Sequence, residues 1–272
     1  MDRKLELFRS ELKAKGLNSV TIDKYLWVIR KFLEFSNNET GKEQAVNFLN
    51  SLIDEQKKPA FRRFCHYALR NWFRFSGLKW DLAPPEVNRY EQTRPIMSLH
   101  EIEKLIKKAK QVCNNEELAK LAVSTVYGLR RAEIRLITKE DINPVKNTIN
   151  IKTRKKGRYR THLIPEEIRD YVYWYEWDKI VSDNQTSVIF RGIFKKCGMY
   201  QDGFGPHTIR RSLATQLGMK MGGMDREKLK HFLRWKDRYE DILALYQQFD
   251  KESESIDKEV FQVHPFLPFW RD

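Results

Sequence analysis

Apolar residues recur at helical spacing through most of the chain, and the first stretch is the clearest. Leu5, Phe8 and Leu12 define one face of a helix that Gly16 ends as a C-terminal cap. Asn18 and Ser19 offer an N-cap to a second helix, whose stripe is Ile22, Tyr25, Leu26, Ile29, Phe32 and Leu33. Thr40 and Glu43 have the spacing of a capping box before Val46, Leu49 and Leu52. A fourth helix follows Pro59, with Phe61, Phe64, Cys65, Ala68 and Trp72 on one side. On another side Arg62, His66, Arg70 and Arg74 recur every four residues. Such a row can follow a phosphate backbone or enter a major groove, and it fits a solvated basic face equally well. The pattern therefore predicts a helical domain over 1–82, with the polar, proline-bounded stretch 83–95 as a linker.

A second domain is expected over 96–272. Ser98 and Glu101 form a capping box ahead of Leu99, Ile102, Leu105 and Ile106, and a further helix from Glu116 to about Tyr127 breaks at Gly128. Arg130 then lies in a turn, and Glu133, Ile134 and Ile137 begin a new helix. At Thr148–Thr153 the period changes to two, and Tyr159–Ile164 runs back after Gly157 to close a β-hairpin that Pro165 ends. Tyr171, Val172 and Tyr175 start an aromatic helix, and Leu229, Phe232 and Leu233 mark another that ends at Arg234-Trp235. The fold class is mainly α with a small β-hairpin or sheet, in two domains. The C-terminal tail, 247–272, combines an acidic stretch, Lys251–Glu259, that suits a flexible linker, with an apolar, proline-containing run, Val260–Trp270, that must dock on something.

Charge sharpens this picture. Lys and Arg number 51 against 37 Asp and Glu, a formal net charge of +14, which favours a polyanionic partner. The 3 cysteines, Cys65, Cys113 and Cys197, lack metal-type spacing, and the opening MDRKLELF has no apolar signal region. An intracellular protein without a metal site is expected, cytoplasmic or nucleoid-associated, with no membrane partner. The stretch Gly205–Leu217 concentrates the chemistry. His207 and Arg210 stand three residues apart near the start of a helix opened by Pro206, while Ile209, Leu213 and Leu217 supply its buried face. An imidazole beside a guanidinium at a helix N-terminus can receive an anionic oxygen.

The string His207 to Thr215 resembles the His-x-x-Arg box of the tyrosine recombinase, or phage integrase, family. Gly128-Leu129-Arg130 followed by Glu133 and Ile134 resembles the family's first arginine box, and the opening helices resemble its core-binding domain. By that resemblance a hairpin lysine reaches the scissile phosphate. Lys155 matches the Lys-x-Gly pattern, and Lys156 is the alternative. Trp235 stands where the family has a histidine or tryptophan, whereas Arg234 occupies a position usually held by glycine and puts the geometry of that turn in question. Tyr246, on the apolar stretch Ile242 to Leu245, is the implied nucleophile, with Tyr239 as its competitor in a charged run.

The resemblance implies a site-specific recombinase that cleaves and rejoins double-stranded DNA through a 3′-phosphotyrosine, using Arg130, Lys155, His207, Arg210, Trp235 and Tyr246 and no cofactor. Two guanidiniums would hold the non-bridging oxygens and Trp235 would add a donor. His207 would move the phenolic proton, and Lys155 would protonate the departing 5′-oxygen. It also implies a homo-oligomer, a tetramer on DNA, whose tail passes to a neighbour or folds back on its own domain. Two other readings use the same residues: a type IB topoisomerase-like relaxase, and a DNA-binding protein with a decayed site.

Overall fold

The computed structural model describes residues 2–87, 95–153, 160–177, 182–220, 226–234 and 249–271. The chain divides into two compact units, Met1–Thr93 and Arg94–Asp272, each with its own apolar core.

Four helices make the first unit: α1 (Asp2–Ala14), α2 (Ser19–Phe35), α3 (Lys42–Asp54) and α4 (Pro59–Phe75). Asn18 caps α2 by accepting the Thr21 amide at 2.8 Å, and Gly16 takes the left-handed conformation that ends the preceding segment. The Thr40–Glu43 capping box does not form: Gly41 is the N-cap of α3 and makes no side-chain cap. Phe8, Leu26, Ile29, Phe32, Leu52, Ala68 and Trp72 fill the core, as their spacing predicts.

The second unit is mainly helical. Its helices are α5 (Leu99–Val112), α6 (Asn115–Tyr127), the single turn α7 (Arg131–Ile134), α8 (Glu166–Tyr173), α9 (Asp183–Lys196), α10 (Pro206–Lys220), α11 (Arg226–Phe232) and α12 (Phe249–Val263). The predicted box at Ser98 is present. A second one, Asn114 with Glu117, starts α6. The hairpin belongs to a three-stranded antiparallel sheet, β1 (Ile142–Asn143), β2 (Thr148–Ile151) and β3 (Arg160–Leu163), in the order β1-β2-β3. Ile149 pairs with His162 and Ile151 with Arg160, so Ile149, Ile151 and His162 turn into the unit. Helix α9 has no counterpart in the predicted pattern, although Ser182 and Gln185 form a capping box at its start.

The tail departs most from expectation. Lys251–Glu259 is not a flexible linker but the body of α12, because Ile256 and Val260 fall on one face and are buried. The apolar run docks on its own unit. Phe266, Leu267 and Trp270 are buried, and the Trp270 indole donates to Thr125 Oγ1 at 3.0 Å. His264 Nε2 donates to the Val126 carbonyl at 2.9 Å, and Lys110 Nζ donates to the Trp270 carbonyl at 3.0 Å. Each of these contacts lies on α5 or the last turns of α6. Among the described residues no helix is long and apolar enough to cross a membrane.

Candidate active site

Gly128 ends α6 in the left-handed region at φ 56°, and the chain turns back on itself there. A Cβ at this position would meet the Leu213 and Leu233 side chains at 3.1 Å, so glycine serves both the turn and the close packing. Arg130 follows two residues on. Its main-chain amide donates to Glu133 Oε2 at 2.8 Å and its Nη1 to Glu133 Oε1 at 2.6 Å. Glu133 is thus the N3 residue of the short helix α7 and is only 2% exposed.

Arg210 reaches the same place from α10. It is 6% exposed and 82 residues distant in sequence from Gly128, whose carbonyl accepts its Nη1. Its Nη2 donates to the Leu233 carbonyl, and its Nη1 lies 3.8 Å from Glu133 Oε2. Arg130 completes the arrangement by donating Nη1 and Nη2 to the Arg234 carbonyl, at 3.3 and 3.2 Å. Two consecutive carbonyls, of Leu233 and Arg234, therefore hold the two arginines of the motif boxes side by side. Burial pushes Arg210 down to about 9, with Arg234 and Arg130 adding to it against Glu133, so the group keeps its charge at neutral pH.

Arg234 itself was the departure in the sequence. It adopts φ 52°, the left-handed conformation that favours glycine, and its side chain turns inward. Nη2 donates to the Tyr127 carbonyl at 2.8 Å and lies 3.4 Å from Glu133 Oε2. Nη1 donates to the Phe232 carbonyl at 3.0 Å and lies 3.0 Å from His162 Nε2, while Asp257 Oδ1 is 2.9 Å from His162 Nδ1. One tautomer satisfies both contacts: Nδ1–H donates to Asp257 and Nε2 accepts from Arg234. Burial holds the His162 pKa below its ordinary value, although Asp257 opposes this. Burial would also raise the Glu133 carboxyl. Arg234, the Arg130 amide, and the Arg130 and Arg210 guanidiniums outweigh that and hold it below the usual carboxylate range.

His207 opens α10 one turn before Arg210, exposed on the surface. Packing around its ring and the charges of Arg210, Arg211, Arg131 and Arg130 lower its pKa. At neutral pH it is an uncharged imidazole, able to accept a proton.

The structure thus gathers Arg130, His207 and Arg210. Lys155, Lys156, Trp235, Tyr239 and Tyr246 lie outside the described residues. Lys152, earlier on the hairpin, is occupied by Asp141 at 2.8 Å. Sequence reasoning did not place Glu133 or Arg234 in the site. The signals were there: Glu133 stands at capping-box spacing from Arg130, and Arg234 is a charge where a glycine was expected.

On α4 the basic row is shorter than its spacing implied. His66 is 1% exposed, its Nε2 lies 2.8 Å from the Leu82 carbonyl, and its ring meets Trp80 edge-on, so it belongs to the core. Burial lowers its pKa as well. Arg62 and Arg70 are half-buried, and Arg74 is exposed. The Arg70 guanidinium lies over the Tyr67 ring at 5.0 Å, and Arg63 bonds the Tyr67 hydroxyl at 3.2 Å. Among the described residues no group of His, Cys, Asp and Glu side chains is placed to hold a metal ion.

The description of the phage integrase family matches residues 95–252. The tyrosine recombinase XerA of Pyrococcus furiosus is 30% identical over 175 residues, covering 62% of this chain and 60% of the relative. The XerA of Thermococcus kodakarensis is 25% identical over 232 residues, covering 78% of this chain and 80% of the relative. The chain thus spans less than two thirds of the first relative's length. Among solved structures, a lambda integrase tetramer bound to a Holliday junction has a TM-score of 0.66 at 18% identity, over 88% of this chain and 78% of that one. The XerH recombinase bound to a palindromic difH substrate reaches 0.63 at 18% identity, over 92% and 82%. At such identities these two structures establish the fold alone. Since the matched region is more than half of the chain and contains both arginine boxes, the chain belongs to the phage integrase family of tyrosine recombinases.

Proposed function

We propose that this protein is a site-specific DNA recombinase that cleaves and rejoins duplex DNA through a covalent 3′-phosphotyrosine. The single observation that carries the reading is the pair Arg130 and Arg210, seated on adjacent carbonyls around one buried carboxylate. Two fixed guanidinium forks match the two non-bridging oxygens of a phosphodiester and stay charged as negative charge builds there. In this reading the Tyr246 phenol oxygen attacks phosphorus as His207 accepts its proton, and the bond to the 5′-oxygen breaks. Lys155, with Lys156 as alternative, protonates that oxygen, and Trp235 donates one further hydrogen bond to the phosphate. Reversal by a new 5′-hydroxyl rejoins the strand. The phosphotyrosine keeps the energy of the broken bond, so neither ATP nor another cofactor enters. The helical domain 1–82, joined by the linker 83–95 to the catalytic part 96–272, grips the duplex with Arg62, Arg70 and Arg74. Assembly as a homotetramer on DNA is part of the proposal and draws support from the lambda integrase tetramer.

Covalent trapping on a pool of nicked duplexes tests the reading. The wild type should form a protease-sensitive adduct on a subset of duplexes, and Tyr246→Phe should bind but form none. An adduct in Tyr246→Phe that is lost in Tyr239→Phe would move the nucleophile. Plasmid relaxation without exchange between two trapped sites would instead make the protein a topoisomerase-like relaxase. DNA binding with no adduct on any duplex would leave a DNA-binding protein with a decayed site.

A further inference from the structure

Arg234 stands at a turn that glycine would satisfy without strain, yet its guanidinium is withdrawn from solvent and cannot touch DNA directly. What it touches is the back of the site. Glu133 takes the Arg130 amide and the Arg130 guanidinium on one side and faces Arg210 on the other. A carboxylate in that position orders the two arginines, and it also cancels part of the positive field they offer to an incoming phosphate. Arg234 Nη2, 3.4 Å from the same carboxylate, supplies a third guanidinium that is not part of the binding surface. Its Nη1 and Nη2 also bond Tyr127, Phe232 and His162, the last held by Asp257 from α12, so the charge is fixed in place.

We propose that Arg234 is a positioning residue whose buried positive charge offsets Glu133, so that Arg130 and Arg210 present their full charge to the scissile phosphate. The inference rests on the reading that those two arginines hold that phosphate. The bookkeeping is simple. With Arg234, three guanidiniums face Glu133, leaving two net positive charges, those of Arg130 and Arg210, for the phosphate. With glycine there, two guanidiniums face the same carboxylate and only one net positive charge remains before the phosphate arrives. On this account the arginine is an adaptation of the site, not a mark of its decay.

Inorganic phosphate is the probe, titrated into the full-length chain at constant ionic strength and read as the rise in unfolding temperature over each variant's own baseline. The double variant Arg130→Ala/Arg210→Ala gives the binding elsewhere on a basic chain. Arg234→Lys and Arg234→Met share the backbone strain and differ in charge, while Arg234→Gly removes both strain and charge. The lysine variant should bind phosphate within about threefold of wild type near pH 7. The methionine and glycine variants should bind about tenfold or more weakly. As pH rises from about 7 to 8, still below the value to which burial pushes Arg210, the lysine variant should lose phosphate affinity relative to the wild type, because a buried ammonium gives up its proton. Wild-type affinity in either neutral variant, or no advantage of lysine over methionine, overturns the proposal. If the neutral variants do not fold, the pH profile decides alone: a flat profile for Arg234→Lys overturns it. Undiminished phosphate binding by the double variant removes the proposed function itself, and this inference with it. Loss in the double variant with wild-type binding by Arg234→Gly removes only the inference.

Discussion

Two sets of arginines in this molecule carry the same charge and do opposite things with it. On α4 the arginines stand at the surface of a four-helix unit. Arg74 is exposed, and Arg63 and Arg70 lie against the Tyr67 ring, with no carboxylate among the described residues paired to them. In the second unit Arg130, Arg210 and Arg234 converge on Glu133, and every one of them also donates to a main-chain carbonyl. The first set can slide, exchange partners and release counterions. The second is fixed by hydrogen bonds before any phosphate arrives, which is the preorganisation that transition-state stabilisation requires. In the proposed function, a surface cation serves affinity and a buried one serves geometry.

The largest expected effect tests the buried set. Glu133→Gln leaves three guanidiniums facing a neutral amide and should cost about 3–5 kcal/mol of stability in urea unfolding. A loss below about 1 kcal/mol would mean that the arginines are held by their carbonyls alone. Next, Arg210→Lys keeps the charge but not the fork. Adduct formation on a trapped duplex should fall about a hundredfold or more while duplex binding stays near wild type. Normal turnover would take Arg210 out of the chemistry.

The α4 set predicts the reverse profile. Arg62, Arg70 and Arg74 changed together to alanine should lower duplex affinity and flatten the log–log salt slope by about 2 to 3, with stability altered by no more than about 0.5 kcal/mol per site. An unchanged slope would return that face to bulk solvent. The smallest effect concerns pH. The unfolded chain takes up a proton on each histidine near its ordinary value, while the native His162 site, facing Asp257, Arg234 and Arg160, takes one only at lower pH. Acidification from about pH 7 to 5 therefore favours the unfolded chain. His66 and His207 are shifted in the same direction, so the contribution of His162 is the part of the slope that disappears in His162→Gln. A slope unchanged by that substitution would show that His162 keeps its ordinary affinity for protons.

The chain made some of this legible and hid the rest. The stripes of α1, α2 and α5, the capping box at Ser98, the break at Gly128 and the strand pairing of the hairpin all follow from neighbours within about four residues or from a period of two. Arg130 and Arg210 were legible for another reason, since the motif boxes around them name the residues without needing their distance. His66 was misread because a period of four marks a face of a helix but not what covers it. Trp80 and the Leu82 carbonyl do so here. The acidic stretch of α12 reads as a linker because charged residues on an exposed face conceal the buried positions, Ile256, Asp257 and Val260, that hold the helix down.

By itself, then, the sequence determined the helical faces, the hairpin and the order of the arginine boxes, since local spacing and side-chain chemistry suffice for these. Only the tertiary structure decided which charges are buried and what they face. Glu133 meets Arg234 across 101 residues, and His162 meets Asp257 across 95. Whether an arginine at a glycine position is a defect or a counter-charge depends on a carboxylate that no local pattern places beside it. Burial makes that pairing count, because a charge withdrawn from water must find its partner inside the protein.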